Sequence, residues 1–317
     1  MNELEHGASK NSRLSGVIYA VVAFLLWGIL PLYWKMLSSV GALEILMHRV
    51  LWAFVFTAML VSYRGQWQEA RAVLGDAKKR RVLVLGALSV GLNWGIYIWA
   101  VNSNHVVDTS LGYYINPLLS VLFGIVAFKE RLDSWQLISF ALAFMGVLVI
   151  TLQYGGIPWI SLSLALSFAL YGLIKKGAKI DSVIGLMLET AVLLPLSLGY
   201  LGYMHFHGGG SFGNAAFLTT ALLVAAGGAT AVPLLLFAQA TQRIPLSTVG
   251  FTQYFTPTGM LIIGVFLYNE PFSKGHLLGF ACIWVALGLF SLSQFSWMKR
   301  HQPGWLRNKK AHVEGGS

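Results

Sequence analysis

The sequence predicts an all-α polytopic membrane protein with ten transmembrane helices arranged as two inverted five-helix repeats. Three observations predict this fold: a composition that is 56% hydrophobic and only 11% charged, a series of long apolar runs, and a pattern that occurs twice in the chain. A soluble protein would contain roughly 25% charged residues. At about 20 residues per span, a chain of 317 residues accommodates about ten spans with short loops.

Ten apolar runs are separated by short polar segments. A backbone in hydrocarbon must satisfy its own hydrogen bonds, and these runs are too long and uniform for barrel strands, so each is predicted to be a helix. The first run has no small-residue cleavage site before Lys35, so we expect it to remain as a span and not to be removed as a signal peptide. The runs are 16–37, 41–62, 82–102, 106–128, 134–153, 157–174, 183–203, 215–240, 246–268 and 275–298.

One stretch of sequence occurs twice, 140 residues apart. The first copy extends from Tyr114 to an acidic turn at Glu130, and the second extends from Tyr254 to Glu270. Seven of the 33 aligned positions are identical, and the Pro-to-Glu spacing is 13 in both copies. Five spans per copy is an odd number, so the second copy is predicted to cross the membrane in the opposite orientation. The expected divisions are a cytoplasmic N-terminal segment, two repeats and a basic cytoplasmic tail: 1–15, 16–153, 154–298 and 299–317.

Lysine and arginine residues lie almost entirely on one side of the predicted bundle. Nineteen fall in the termini and in the loops of that side, including the 175–182 loop, whereas only Lys35 and Lys274 fall in the opposite loops. Cytoplasmic loops carry the excess of basic residues, so both termini are predicted to be cytoplasmic. The net charge of +10 therefore reflects topology, and no nucleic-acid partner is expected. Residues 64–81 are predicted to form a helix on the lipid surface.

Two charged residues inside the predicted spans are candidates for a binding site, because an intramembrane charge costs roughly 2.5–3.5 kcal/mol on insertion scales. Arg49 lies about eight residues into the second run, or about 12 Å deep. Glu189 lies at the aligned position of the seventh run, counted from the opposite face. Two interpretations stay open. In one, both face a central cavity, where Arg49 holds an anionic or carbonyl-bearing substrate and Glu189 carries the proton or counter-ion. In the other, they form a permanent ion pair that locks the repeats together.

His48 is the third ionisable candidate. It follows Glu44 by four residues, so one helix face carries both side chains. Histidine titrates near neutral pH, so an ion-binding role is one interpretation. The alternative is a histidine that packs between helices and bonds to a backbone acceptor.

Amides and tyrosines near the middle of the spans form a second group of candidates. Those in the fourth and ninth runs lie beside Pro117 and Pro257, and proline is tolerated in a span where the backbone lines a cavity or meets a neighbour. A mixed aromatic and amide lining suits a small, partly apolar ligand that is neutral or zwitterionic. The alternative is an aromatic belt at the membrane interface. The candidates are Asn93, Tyr97, Tyr114, Asn116, Gln253 and Tyr254.

Five segments resemble the RarD branch of the EamA-type drug/metabolite transporter superfamily. The resemblance extends from about residue 16 to residue 298, and it implies two five-helix repeats, an inner-membrane location and small-molecule transport. The branch usually has Glu where Asp108 stands, so a binding role carried over to Asp108 rests on an acid that is one methylene shorter. The segments are FLLWGILPLYWK (24–35), EILMHRVLW (44–52), NWGIYIWAVN (93–102), SLGYYINP (110–117) and SFALYG (167–172).

The sequence thus predicts a secondary transporter of small organic solutes, coupled to an ion gradient. The expected partners are a small-molecule solute, the lipid bilayer and a coupling ion, with H⁺ the favoured ion; homodimerisation stays open, and no cofactor or metal is expected. Residues 209–213 match GxSxG, but they lie in a glycine-rich loop, so an enzyme is not expected. The alternative function is a non-transporting membrane scaffold or sensory subunit.

Overall fold

A computed structural model of the chain describes residues 2–102, 106–152, 158–268 and 274–293. All the regular elements in these ranges are α-helices. In chain order they are α1 (Asn2–Lys35), α2 (Ala42–Tyr63), α3 (Trp67–Gly75), α4 (Ala77–Asn102), α5 (Val106–Phe128), α6 (Ser134–Leu152), α7 (Trp159–Ala178), α8 (Ser182–Phe206), α9 (Phe217–Arg243), α10 (Leu246–Thr252), α11 (Phe255–Tyr268) and α12 (Lys274–Ser293).

The helices agree with the predicted apolar runs, and each run overlaps at least one of them. Within the described part of the chain, eight helical segments are long and apolar enough to cross a membrane. α4 is not among the eight, and the apolar part of α12, Leu277–Ser293, is shorter than a full span. The protein is therefore an all-helical membrane protein with multiple spans. The count of ten spans and the inverted orientation stay predictions.

Two predicted elements are interrupted. The ninth run is divided into α10 and α11 at Gln253 and Tyr254, because Pro257 has no N–H to donate to the carbonyl of Gln253. The surface helix predicted over 64–81 is replaced by the short α3 and the start of α4. Asp76 lies between them and accepts hydrogen bonds from the N–H groups of Lys79 and Lys78 (3.1 and 2.8 Å), which hold the pKa of its carboxyl group below the usual value.

The most extensive helix contacts join the first six helices to the last six. α12 packs against α6, α5 against α7, α2 against α8 and α9, and α1 against α9 and α11. The core of the bundle therefore lies between the two halves. α2 and α9 are in close contact at Gly227, where an added Cβ atom would lie 2.3 Å from the carbonyl carbon of Trp52. Small residues allow such close backbone approach between spans.

Candidate functional site

A central cavity of about 310 Å³ lies between the two halves of the bundle. Its lining comes from α1, α2, α4, α5, α7, α9 and α11, together with Gln253 at the break between α10 and α11. In α1 and α4 the lining residues lie in the C-terminal half of the helix, and in α2, α5 and α7 they lie in the N-terminal half. These halves lie at the end of the bundle where α1 ends and α2 begins. The cavity is therefore displaced towards that end of the bundle. Its volume lies at the small end of the range for ligand pockets.

Arg49 is the one charged residue among those described that line the cavity. Its Nε donates a hydrogen bond to Oγ1 of Thr230 (3.0 Å), which fixes the guanidinium between α2 and α9. The guanidinium carbon lies 4.8 Å from the ring centroid of Trp34 and 5.2 Å from that of Trp94, within the range of cation–π contacts. Among the described residues, no carboxylate pairs with Arg49. Its terminal nitrogens therefore remain available to a ligand.

Amide side chains form the other polar part of the lining. Asn93 donates to the carbonyl of Leu164 (2.8 Å) and to Oγ of Ser167 (3.0 Å), so α4 is tied to α7. The Oγ of Ser120 lies 3.2 Å from Oδ1 of Asn116 and 3.2 Å from Oε1 of Gln253. The Oε1 atom of Gln253 is therefore used within the protein, whereas its NH₂ group has no acceptor among the described residues. The tyrosines Tyr97 and Tyr113 also line the cavity.

A cluster of aromatic side chains closes the opposite end of the cavity. Phe168 lies 5.3 Å from Phe237 between ring centroids, and Tyr171 stacks on the same ring at 6.0 Å. Both Tyr171 and Phe237 are fully buried. Access to the cavity from the end at which α7 finishes is therefore blocked in this conformation.

Behind this aromatic cluster, Glu189 forms a buried ion pair with Lys175. Nζ of Lys175 lies 2.9 and 3.1 Å from the two carboxylate oxygens, and the hydroxyl of Tyr171 donates to Oε2 (3.1 Å). The two charged side chains are only 4% and 3% exposed. Glu189 does not line the central cavity.

The interpretation of Arg49 and Glu189 as a permanent ion pair is therefore wrong for this conformation. The hydroxyl of Ser197 on α8 donates to the carbonyl of Met47 on α2 (2.7 Å), which sets the relative level of the two helices. Arg49 follows Met47 by only two residues, so it lies close to the level of this hydrogen bond. Glu189 precedes Ser197 by eight residues, so it lies about 12 Å from that level along α8. The aligned positions are counted from opposite ends of the bundle, so equal depth does not bring the two charges together.

Lys175 was missed by the sequence analysis, which placed it in the 175–182 loop. α7 continues to Ala178, so Lys175 lies on its last turn and points inward. Lys176 points to a different partner, with its Nζ 3.5 Å from Oε1 of Glu130 and 2.8 Å from the carbonyl of Ile244. Two of the three loop lysines therefore belong to ion pairs. The sequence contained one signal for this position: Lys175 and Lys176 directly follow the apolar run that ends at residue 174, where the helix continues.

Glu130, from the repeated acidic turn, binds the start of α10. Its carboxylate accepts from the N–H groups of Leu246 (2.7 Å) and Ser247 (2.8 Å), and from Oγ of Ser247 (2.7 Å). These groups lie at the same end of the bundle as Lys175, since α5 ends and α10 begins there. Glu130 thus joins α10 to the end of α5, at the same end of the bundle that the aromatic cluster closes.

Of the ten predicted site residues, five line the central cavity, four lie elsewhere in the structure, and one is outside the described residues. Five line the central cavity: Arg49, Asn93, Tyr97, Asn116 and Gln253. Tyr114 packs edge-on against Phe280 (5.2 Å), Tyr254 is fully buried beside the cavity-lining break, and His48 lines a separate, smaller cavity. Glu189 pairs with Lys175. The side chain of Asp108 lies outside the described residues.

The fold and the site together define a class: a polytopic helical membrane protein whose central cavity is large enough for a small solute and contains one arginine. Comparison with known proteins then identifies the family. The profile of the EamA-like transporter family matches residues 14–152. The chain belongs to the RarD branch of the EamA-type drug/metabolite transporter superfamily, so it is a membrane transporter by family.

Relatives from several bacteria match nearly the whole chain. "Uncharacterized transporter YojE" of Bacillus subtilis (strain 168) is 45% identical over 300 residues, covering 93% of this chain and 98% of the relative. "Protein RarD" of Escherichia coli (strain K12) is 39% identical over 285 residues, covering 90% and 96%. A solved structure described as "Crystal structure of protein" shares the fold, with a TM-score of 0.67 and 18% identity over 88% of this chain and 97% of that one. Membership of a transporter family favours transport over catalysis.

Proposed function

We propose that the chain is a secondary transporter of small organic solutes that carry a carboxylate or another anionic or carbonyl group beside an apolar body. The observation that carries this proposal is the position of Arg49 in the central cavity, bonded to Thr230, with no carboxylate partner among the described residues. A cation inside a membrane span without a counter-charge is costly, so a bound anion would remove that cost. The aromatic rings around it would accept the apolar part of the solute.

The test is ligand binding to purified protein in nanodiscs, measured by thermal shift with benzoate-like carboxylates and their neutral amide counterparts. We expect carboxylates to stabilise the wild-type protein more than the matching amides. Arg49→Gln is expected to weaken carboxylate binding by about ten- to one-hundred-fold, since hydrogen bonds to charged groups contribute about 1.5–3 kcal/mol. Arg131→Gln, which removes an exposed arginine, is the matched control. Equal binding by wild type and Arg49→Gln would contradict the assigned role.

Flux measurements separate this function from the scaffold alternative. In proteoliposomes, a transporter moves the bound carboxylate, and Arg49→Gln reduces its flux while Arg131→Gln does not. A scaffold or sensory subunit would show no flux above that of empty vesicles. Coupling to H⁺ is part of the proposal, and it predicts that an imposed pH gradient accelerates uptake or exit of the solute.

We further propose that the two halves are inverted repeats in the inner membrane, with both termini in the cytoplasm and with the central cavity nearer the outer face. The contacts between the halves and the excess of basic residues on one side support this topology. Single cysteines that replace Arg131 and Glu270, in a Cys282→Ser background, are expected to react with membrane-impermeant maleimide from opposite faces. Labelling of both from the same face would contradict inversion.

A further inference from the structure

A second cavity, of about 150 Å³, lies beside the first turns of α2 and shares no lining residue with the central cavity. Glu44 and His48 line it from α2, His205 lines it from α8, and Phe212 covers it from the segment that joins α8 to α9. This segment, residues 207–216, contains the glycine-rich stretch whose GxSxG pattern lacks the backbone setting of a nucleophile. The segment therefore has another structural role here.

Glu44 holds this segment in place. Its Oε1 accepts from the N–H of Ser211 (2.6 Å), and Oγ of Ser211 lies 3.1 Å from Oε2. The carboxylate is only 3% exposed, so these contacts lie inside the protein. Hydrogen bonds to an ionised acceptor are about twice as strong as neutral ones. The attachment of the 207–216 segment to α2 therefore depends on the charge and orientation of Glu44.

His48 lies one helical turn from Glu44 and has no polar partner in the part of the chain that the structure describes. It is only 3% exposed, its ring stacks on Phe212 at 5.0 Å, and both ring nitrogens lack a hydrogen-bond partner among the described residues. A buried polar group without a partner costs free energy. A proton on the imidazole would create a cation whose burial is itself costly, and attraction to the neighbouring Glu44 carboxylate would offset part of that cost.

The charged groups around His48 are few. Its own helix contributes Glu44 on this face, whereas Arg49 is bonded to Thr230 in the central cavity. α8 contributes His205, and the covering segment contributes Ser211 and Phe212, which are uncharged. α9 meets this part of α2 at Gly227, which has no side chain. Glu44 is thus the carboxylate among the cavity-lining residues that would stabilise a protonated His48.

We infer that His48 and Glu44 form a proton-binding site, and that binding of one proton at His48 releases the 207–216 segment. The protonated imidazole attracts the Glu44 carboxylate and competes with Ser211 for its oxygens. The proton comes from water and forms an N–H bond on the imidazole, and it returns to water when that bond breaks, so the cycle balances. This inference deepens the proposed function, on which it rests for its role in coupling: it places the coupled proton at His48 and Glu44, and not at Glu189, which is occupied by Lys175.

The test follows the mobility of the segment as a function of pH, with a spin label at Asn214→Cys in a Cys282→Ser background in nanodiscs. Between about pH 8 and pH 5, the range in which histidine titrates, the label is expected to become mobile in the otherwise wild-type protein. A difference of one pKa unit for His48 between the two states of the segment changes the mobile-to-immobile ratio about tenfold. His48→Gln is expected to abolish the change, whereas His207→Gln, which removes an exposed histidine from the same segment, is expected to preserve it.

A second measurement uses the native sequence, in case His48→Gln fails to fold. Exchange of the C2 hydrogen of each histidine, followed by mass spectrometry, reports the titration of each imidazole separately. His48 is expected to titrate over the same pH range in which the label becomes mobile. A label that never responds, a response lost in His205→Gln but kept in His48→Gln, or a His48 that does not titrate in this range would overturn the inference. Neither readout uses a transported solute, so failure of the proton-site inference is distinguishable from failure of the proposed carboxylate binding at Arg49.

Discussion

Replacing Glu189 with Gln is expected to destabilise the protein by about 3–5 kcal/mol, because it leaves the Lys175 ammonium buried without a counter-charge. Nζ of Lys175 lies 2.9 and 3.1 Å from the two oxygens of Glu189, and both side chains are almost fully buried. The amide of Gln retains an acceptor for Tyr171 but loses the charge. The free energy of unfolding in mixed micelles, measured by denaturant titration, gives the cost directly.

The double variant Lys175→Met with Glu189→Gln distinguishes a lost ion pair from a packing defect. It removes both charges and keeps similar volumes, so we expect it to recover most of the stability lost in Glu189→Gln. Replacement of buried ion pairs by apolar residues is often neutral or stabilising. Glu69→Gln, at an exposed glutamate of α3, is the control and is expected to change stability by less than about 0.5 kcal/mol. A Glu189→Gln protein as stable as wild type would show that the pair is not maintained.

Gly227→Ala is expected to have the second large effect, a destabilisation of about 1–3 kcal/mol from overpacking. A Cβ atom at this position would lie 2.3 Å from the carbonyl carbon and 2.6 Å from the carbonyl oxygen of Trp52. Backbone atoms cannot move aside as a flexible side chain does, so α2 and α9 must separate. Since Arg49 on α2 is bonded to Thr230 on α9, carboxylate binding in the central cavity is expected to weaken together with stability.

The neighbouring glycine provides the matched control for this variant. A Cβ atom at Gly228 would meet nothing within 4 Å, so Gly228→Ala adds a methyl group without a clash. Alanine is favoured over glycine inside a helix by up to about 1 kcal/mol, so Gly228→Ala is expected to be neutral or stabilising. Thermal unfolding of the two variants in the same nanodiscs compares them. Equal unfolding temperatures would contradict the close contact between α2 and α9.

The helices were predictable from the sequence, because apolar runs of span length have one stable form in hydrocarbon. The depth of Arg49 in the membrane, and its cost in a span, stay predictions from residue counting. Helix ends were less predictable. The apolar run that ends at residue 174 does not show that α7 continues to Ala178, since a basic residue on the last turn of a helix resembles a loop residue in composition.

By itself, the sequence determined that the protein is an all-helical membrane protein, its family resemblance and five of the residues that line the central cavity. Only the tertiary structure decided which charges meet: it paired Glu189 with Lys175, attached Glu44 to Ser211 and left Arg49 with Thr230. The physical reason is that hydropathy and spacing act along one helix, whereas an ion pair depends on the rotation and relative level of two helices. A shift of one residue changes the direction of a side chain by about 100°, and no local pattern specifies that shift between distant segments.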